Sequence, residues 1–172
     1  WINGILRNVI KIKHGINNRE ELINNLKHFK LKDETKLVSF DVTNRYNQIA
    51  IEQTLKLIEK ELKTSNLKQN QQKDILELTE ICTKQNFFQF NDTIYRQEDG
   101  LSVGSPLHPP LADICMDNIE QNILQTTKAK KQINFWFRYV DDLITEWNST
   151  DDQLIKFQQQ LNNIHPNIKF TT

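Results

Sequence analysis

The sequence is short of the features that mark several protein classes. It has two cysteines, Cys82 and Cys115, in 172 residues. They are too few and too far apart for a disulfide framework, and both read as buried free thiols of a reducing compartment. No apolar run comes near the roughly 18 residues needed to cross a bilayer, and no basic, apolar, small-residue leader stands at the start, so neither membrane insertion nor secretion is expected. The chain opens on Trp1 and its single methionine is Met116, so it reads as a piece of a longer protein. Internal repeats and Pro/Gly/Ser-rich linkers are missing, and no domain boundary is expected inside the chain. Net charge is zero, from 22 basic and 22 acidic residues, which excludes a uniformly cationic nucleic-acid binder.

What is present points to a folded protein. Hydrophobic residues make up 37% and charged residues 26%, a globular composition at the polar end of its class. Asn and Gln, about a fifth of the residues, are interspersed with Leu, Ile and Phe, unlike the tracts of low-complexity segments. The neutral total hides local patterning. Residues 1–36 carry eight Lys/Arg against four acids, and Lys128, Lys130, Lys131 and Arg138 form a second basic cluster. These are either solvated faces or phosphate contacts.

Apolar residues recur at three- and four-residue spacing over 17–29, 51–64 and 70–86, which predicts three amphipathic helices, the third with Ile75, Leu78, Ile81 and Cys82 on one face. The segment 37–42, Leu-Val-Ser-Phe-Asp-Val, is rich in β-formers and carries Asp41 near its end. Residues 87–97 predict a hairpin turning at Asn91-Asp92. Gly100 and Gly104 bracket a loop leading to Ser105-Pro106, an N-cap followed by a proline at the first helical position, so a helix is expected from there to about residue 126. Residues 135–140 and 143–147 predict a second hairpin with Asp141-Asp142 at its turn. Ser149-Thr150-Asp151 starts a further helix, and 167–171 reads as a last strand. The order is mixed α and β.

The chemistry rests on carboxylates. Asp41 ends one strand, and Asp141 and Asp142 occupy a turn about a hundred residues later. If the two strands are neighbours, the three acids converge. Such carboxylates repel one another unless a cation lies between them, and hard oxygen donors favour Mg²⁺. That arrangement suits two-metal phosphoryl transfer. Asp-Asp by itself is weak evidence, because the same dipeptide at Asp151-Asp152 is explained by a helix N-terminus.

The surrounding residues are more specific. Tyr139-Val140-Asp141-Asp142 on a hairpin resembles the catalytic motif of reverse transcriptases. In the family's order, Leu37-Val38-Ser39-Phe40-Asp41-Val42 with Tyr46 resembles the first palm motif. The run from Asp99-Gly100 through Gly104-Ser105-Pro106-Leu107 to Pro109 and Leu111-Ala112 resembles the glycine-rich loop and helix that follow. More narrowly, Phe87-Phe88-Gln89-Phe90-Asn91, Trp136 through Asp142, and Ile164 through Thr171 are similar to reverse transcriptases of Penelope-like retroelements. The resemblance covers roughly 17–171.

The resemblance implies an α+β fold, a right-hand polymerase palm of split β-α-β, ferredoxin-like type with helices on one face of an antiparallel sheet. Residues 37–48 and 100–172 would be palm, 1–36 and 49–99 mostly helical fingers, and the thumb absent. It implies an RNA-directed DNA polymerase using an RNA template, a DNA primer, deoxynucleoside triphosphates and two Mg²⁺ ions, with Mn²⁺ as a substitute, inside a eukaryotic cell, in nucleus or cytoplasm. By the same resemblance Asp41 and Asp141 bind both metals, the Val42 carbonyl adds a ligand and Asp142 assists. Tyr46 is the steric gate against a ribose 2′-hydroxyl. Gly104, Ser105 and Pro106 shape the wall beside the nucleotide, and Lys169 faces the triphosphate. The sequence departs from the family pattern at Asn44-Arg45, Ala50, Val103, His108 and Pro110, which leaves a second reading, a non-catalytic remnant that at most binds nucleic acid.

Overall fold

Alternation of apolar and polar residues from Val38 to Thr43 defines strand β1 (Lys36–Thr43), which buries Val38, Phe40 and Val42 and exposes Leu37, Ser39 and Asp41. The computed structural model describes all residues except Asp33, 44–48, Asp99, Val103, Thr127 and 166–167, and the side chains of Thr126, Lys128 and Ala129. β1 pairs antiparallel with β5 (Asp142–Trp147) on one side and β6 (Lys169–Thr171) on the other, and β5 pairs with β4 (Ile133–Tyr139). The sheet order is β4-β5-β1-β6. Helix α5 (His108–Thr126) lies in the chain between β1 and β4, and α6 (Asp151–Ile164) between β5 and β6. This interleaving makes the expected split β-α-β, ferredoxin-like sheet.

One face of the sheet carries the core. Phe157 of α6 packs edge-on against Phe40 and Trp136, with ring centroids 6.3 and 6.1 Å away, and stacks on Trp147 at 5.3 Å. All four side chains are buried, and each contributes on the order of 2–3 kcal/mol through its apolar area alone. Thr150 caps α6 by accepting the Gln153 amide. At the outer edge of β4, the His14 carbonyl accepts from the Arg138 amide and the Ile16 amide donates to the Arg138 carbonyl, both at 2.9 Å, so residues 14–16 make one parallel bridge there.

These elements belong to one of two compact units, residues 13–45 with 117–172; the other comprises 1–12 with 46–116. The absence of a linker did not mean a single unit, because both are discontinuous and the chain passes between them inside ordinary segments, once within α5. The second unit holds α1 (Ile2–Val9), α3 (Ile51–Lys63), α4 (Gln69–Lys84) and a hairpin of β2 (Phe87–Phe90) and β3 (Thr93–Arg96). Helix α3 buries Thr54, Ile58 and Leu62. Helix α4 buries Ile75, Thr79 and Thr83, not the expected Leu78, Ile81 and Cys82, which stay at least partly exposed. Two threonines suit the inside because their hydroxyls bond back to the Ile75 and Thr79 carbonyls, at 2.7 and 2.9 Å. Cys115 is buried, as expected, and both cysteines are free. No helix among the described residues is long and apolar enough to cross a membrane.

Candidate active site

Asp41 lies at the centre of the sheet, directly opposite Asp142 of β5 and, on its other side, Thr171 of β6. Opposed residues of antiparallel strands point to the same face, and both carboxylates are exposed there. Asp141 follows through the backbone: its carbonyl accepts the Val42 amide at 3.0 Å, which ties the turn to the strand carrying Asp41. The structure thus brings Asp41, Val42, Asp141 and Asp142 together. It shifts the expected turn by one residue, however. Tyr139 and Asp142 are partners, so the turn residues are Val140 and Asp141, and Asp142 begins β5.

The carboxylate chemistry fits a hard divalent cation. Asp41 and Asp142 are adjacent like charges, and no ion pair among the described residues neutralises either. The side chains are not gathered into a closed cage: among the described residues no group of three or more His, Cys, Asp or Glu forms one. On the same face a groove of about 430 Å³ opens beside Asp142, lined by Arg19, Ser39, Phe137, Tyr139, Leu143 and Ile144.

The turn that presents Asp141 is held from behind. Val140 has φ +53°, a left-handed conformation that a β-branched residue rarely takes. Its carbonyl accepts from Arg138 Nη1 at 3.3 Å, while Arg138 Nε donates to Glu120 Oε1 of α5 at 2.8 Å. Arg138 and Glu120 are fully buried. Burial pushes the Glu120 carboxyl up to about 7, against the opposing pull of Arg138. Arg138 is therefore not part of a phosphate-facing basic cluster, although Lys130 and Lys131 are exposed. Sequence reading missed this pair. The available signal was an arginine two positions from Trp136 on the apolar face of a strand, with an acid on the apolar helix before it.

The remaining expected residues are dispersed. Lys169 donates to the carbonyls of Asn162 and His165, at 2.6 and 3.4 Å, capping the end of α6. Gly104, Ser105 and Pro106 lie in the other unit, described by itself. Gly104 has φ +107°, and a Cβ there would meet nothing, so backbone conformation rather than space calls for glycine. Ser105 does not cap a helix beginning at Pro106; residues 105–108 form a turn in which the His108 amide bonds the Ser105 carbonyl at 3.2 Å, and α5 starts at His108. The His108 ring nitrogen Nδ1 lies 2.6 Å from the Ser102 carbonyl, which fastens the glycine loop to the helix. Tyr46, Asn44, Arg45 and Val103 lie outside the described residues.

A β-α-β-β-α-β sheet with aspartates at its central strands, and its helices on the opposite face, is the architecture of a polymerase palm. A family model described as reverse transcriptase (RNA-dependent DNA polymerase) matches residues 4–171, and the chain belongs to the reverse transcriptase family. Among solved structures it is similar to apo telomerase from Candida tropicalis, with TM-score 0.71 and 14% identity over 99% of this chain and 34% of that one. Telomerase from Candida albicans in complex with a TWJ fragment of telomeric RNA matches with TM-score 0.64 and 13% identity, over 99% of this chain and 34% of that one. At these identities the likeness is one of fold, and the chain spans about a third of the telomerases it matches. No curated protein matches it.

Proposed function

We propose that the chain is the core of an RNA-directed DNA polymerase of a Penelope-like retroelement, extending a DNA primer on an RNA template with deoxynucleoside triphosphates. The observation that carries this is the pairing of Asp41 with Asp142 and the tie of Asp141 to Val42, in a chain of the reverse transcriptase family. Asp41, Asp141 and the Val42 carbonyl would hold two Mg²⁺ ions, with Asp142 assisting. Bound there, the ions would stabilise the attacking and leaving oxygens of an in-line displacement. The chain's own contribution is placement. The central strands fix the carboxylates, the exposed face admits substrate, and the groove beside Asp142 offers aromatic and apolar surface next to them. Tyr46 would exclude ribonucleotides by contact with a 2′-hydroxyl, and the turn at Gly104, Ser105 and Pro106 would line the nucleotide. Lys169 would reach a triphosphate only by giving up its carbonyl partners.

A non-catalytic remnant is the competing reading, suggested by the departures at 44–45, 50, 108 and 110. The burial and bonding of His108 favour the enzyme, since that departure is accommodated inside a packed loop. Primer extension by the full-length protein decides between them. Asp41→Ala and Asp141→Ala should each abolish Mg²⁺-dependent synthesis, with Asp142→Ala less severe. Absence of synthesis by the parent supports the remnant, and near-parental synthesis by Asp141→Ala overturns the site.

A further inference from the structure

A valine in left-handed backbone beside an essential carboxylate needs something to hold it there. Left-handed geometry is unfavourable for a residue with a side chain, most of all a β-branched one, and such strain persists only where surroundings over-determine it. Among the described residues, Arg138 bonds the Val140 carbonyl directly. We propose that Arg138 is a positioning residue for the carboxylate turn: its guanidinium, anchored on Glu120 of α5, grips the Val140 carbonyl and so keeps Asp141 fastened to Val42. Three independent contacts converge on it. Nε bonds Glu120 at 2.8 Å and Nη1 bonds Val140 at 3.3 Å. Its backbone amide and carbonyl are both bonded by residues 14–16 along the outer edge of β4. Those residues are held in turn by Asp117 of α5, whose Oδ1 accepts the Lys13 and His14 amides at 2.8 and 3.2 Å. Strand β4 therefore reaches its turn with side chain and backbone both fixed to the same helix.

Fork geometry explains why arginine suits the task. A guanidinium presents donors in two directions at once, one into the helix and one along the strand to the turn, whereas a lysine ammonium would serve the pair only as a point charge. The role rests on the proposed function only in making Asp141 a group that has to be placed. The mechanical claim stands on its own geometry.

Hydrogen exchange tests it, with the Val42 amide as reporter because its partner is the Asp141 carbonyl. In the unaltered chain this amide should be protected. Arg138→Met should speed its exchange by about tenfold or more while amides around Val38, at the far end of β1, change by less than about threefold. Glu120→Gln, which keeps volume and an acceptor for Nε, should give a smaller acceleration at the same amide, and it carries the comparison if Arg138→Met does not fold. Adding Val140→Gly to either variant should restore protection, because glycine holds the left-handed turn unaided. An arginine that merely filled the core would not be rescued this way. Unchanged Val42 exchange in the variants, uniform acceleration along β1, or failure of the glycine rescue each overturns the proposal. Broadening of the Asp41 and Asp141 signals by Mn²⁺ tests the cation reading separately. If broadening is absent while Val42 exchange behaves as expected, the proposed function falls and the positioning role stands.

Discussion

Among the described residues two hairpins have two-residue turns, and they are made in opposite ways. In β2–β3 the turn residues are Asn91 and Asp92, both in left-handed backbone at φ +46° and +57°. Those two types accept that conformation most readily after glycine, and every residue of both strands is exposed. In β4–β5 the turn falls on Val140 and Asp141, a poor choice by local propensity, while the strands are embedded in a four-stranded sheet. The first hairpin is written by its turn; the second is imposed on its turn by the sheet and by Arg138. Local sequence signals and tertiary demand thus part company at the place where the carboxylates are presented.

Breaking the imposed hairpin should have the largest effect. Arg138→Met leaves Glu120 buried without its partner and should destabilise the chain by about 3–5 kcal/mol, read from urea unfolding. Arg96→Ala, in the self-made hairpin, removes a fork to Glu98 that lies in solvent and should cost less than about 1 kcal/mol.

The same pair predicts a pH dependence that the other hairpin lacks. Glu120 holds its proton up to about pH 7 in the folded chain, whereas unfolded it ionises near 4.5. The folded state thus binds more protons between these values. Glu120 therefore contributes stability that is fully present below about pH 4.5 and declines as pH rises toward 7, by at most about 1.4 kcal/mol per unit. Glu120→Gln should flatten that part of the pH profile. An unchanged slope in the variant would show that other groups dominate.

Smaller changes sharpen the contrast between the turns. Val140→Gly relieves left-handed strain and should be neutral or stabilising by about 1 kcal/mol, after allowing for the entropy glycine loses. Asp92→Val should do the reverse, loosening the β2–β3 amides in hydrogen exchange by about tenfold or less. Smallest in its effect on global stability is Phe88→Ala. Phe88 stacks on Tyr95 at 5.5 Å yet is half exposed, so its loss should cost about 0.5–1.5 kcal/mol of local stability and little global stability.

This contrast also explains what could be read beforehand. The Asn91-Asp92 turn, helix α3, the Thr150 cap and strand β1 were legible because each is announced by residues next to one another. The β4–β5 turn was expected one residue late, since Val140 is a residue that turns avoid and the aspartates after it attract the assignment. The start of α5 was expected at Ser105-Pro106 and occurs at His108, because Ser105 spends its carbonyl on a tight turn. Helix α1 gave no cap signal, and its first turn has no acid. The buried stripe of α4 escaped notice because threonine hydroxyls can be satisfied within the helix. Of the site, the carboxylates were legible through their motifs, whereas Arg138 was counted among surface charges; its role depends on Glu120, eighteen residues away on another element.

The order of the strands has a consequence for how the protein is made. Strand β1 finds its neighbours only in β5 and β6, about a hundred residues or more further along the chain. At roughly 5–20 residues per second, a nascent chain would wait on the order of 5–20 s between synthesising Asp41 and synthesising Asp142. During that interval β1 has no partner on either edge, and its alternating Val38, Phe40 and Val42 are available to any other extended segment. The two carboxylates that meet across one register step therefore come together late, and strand β1 is left longest with both edges open as the chain emerges.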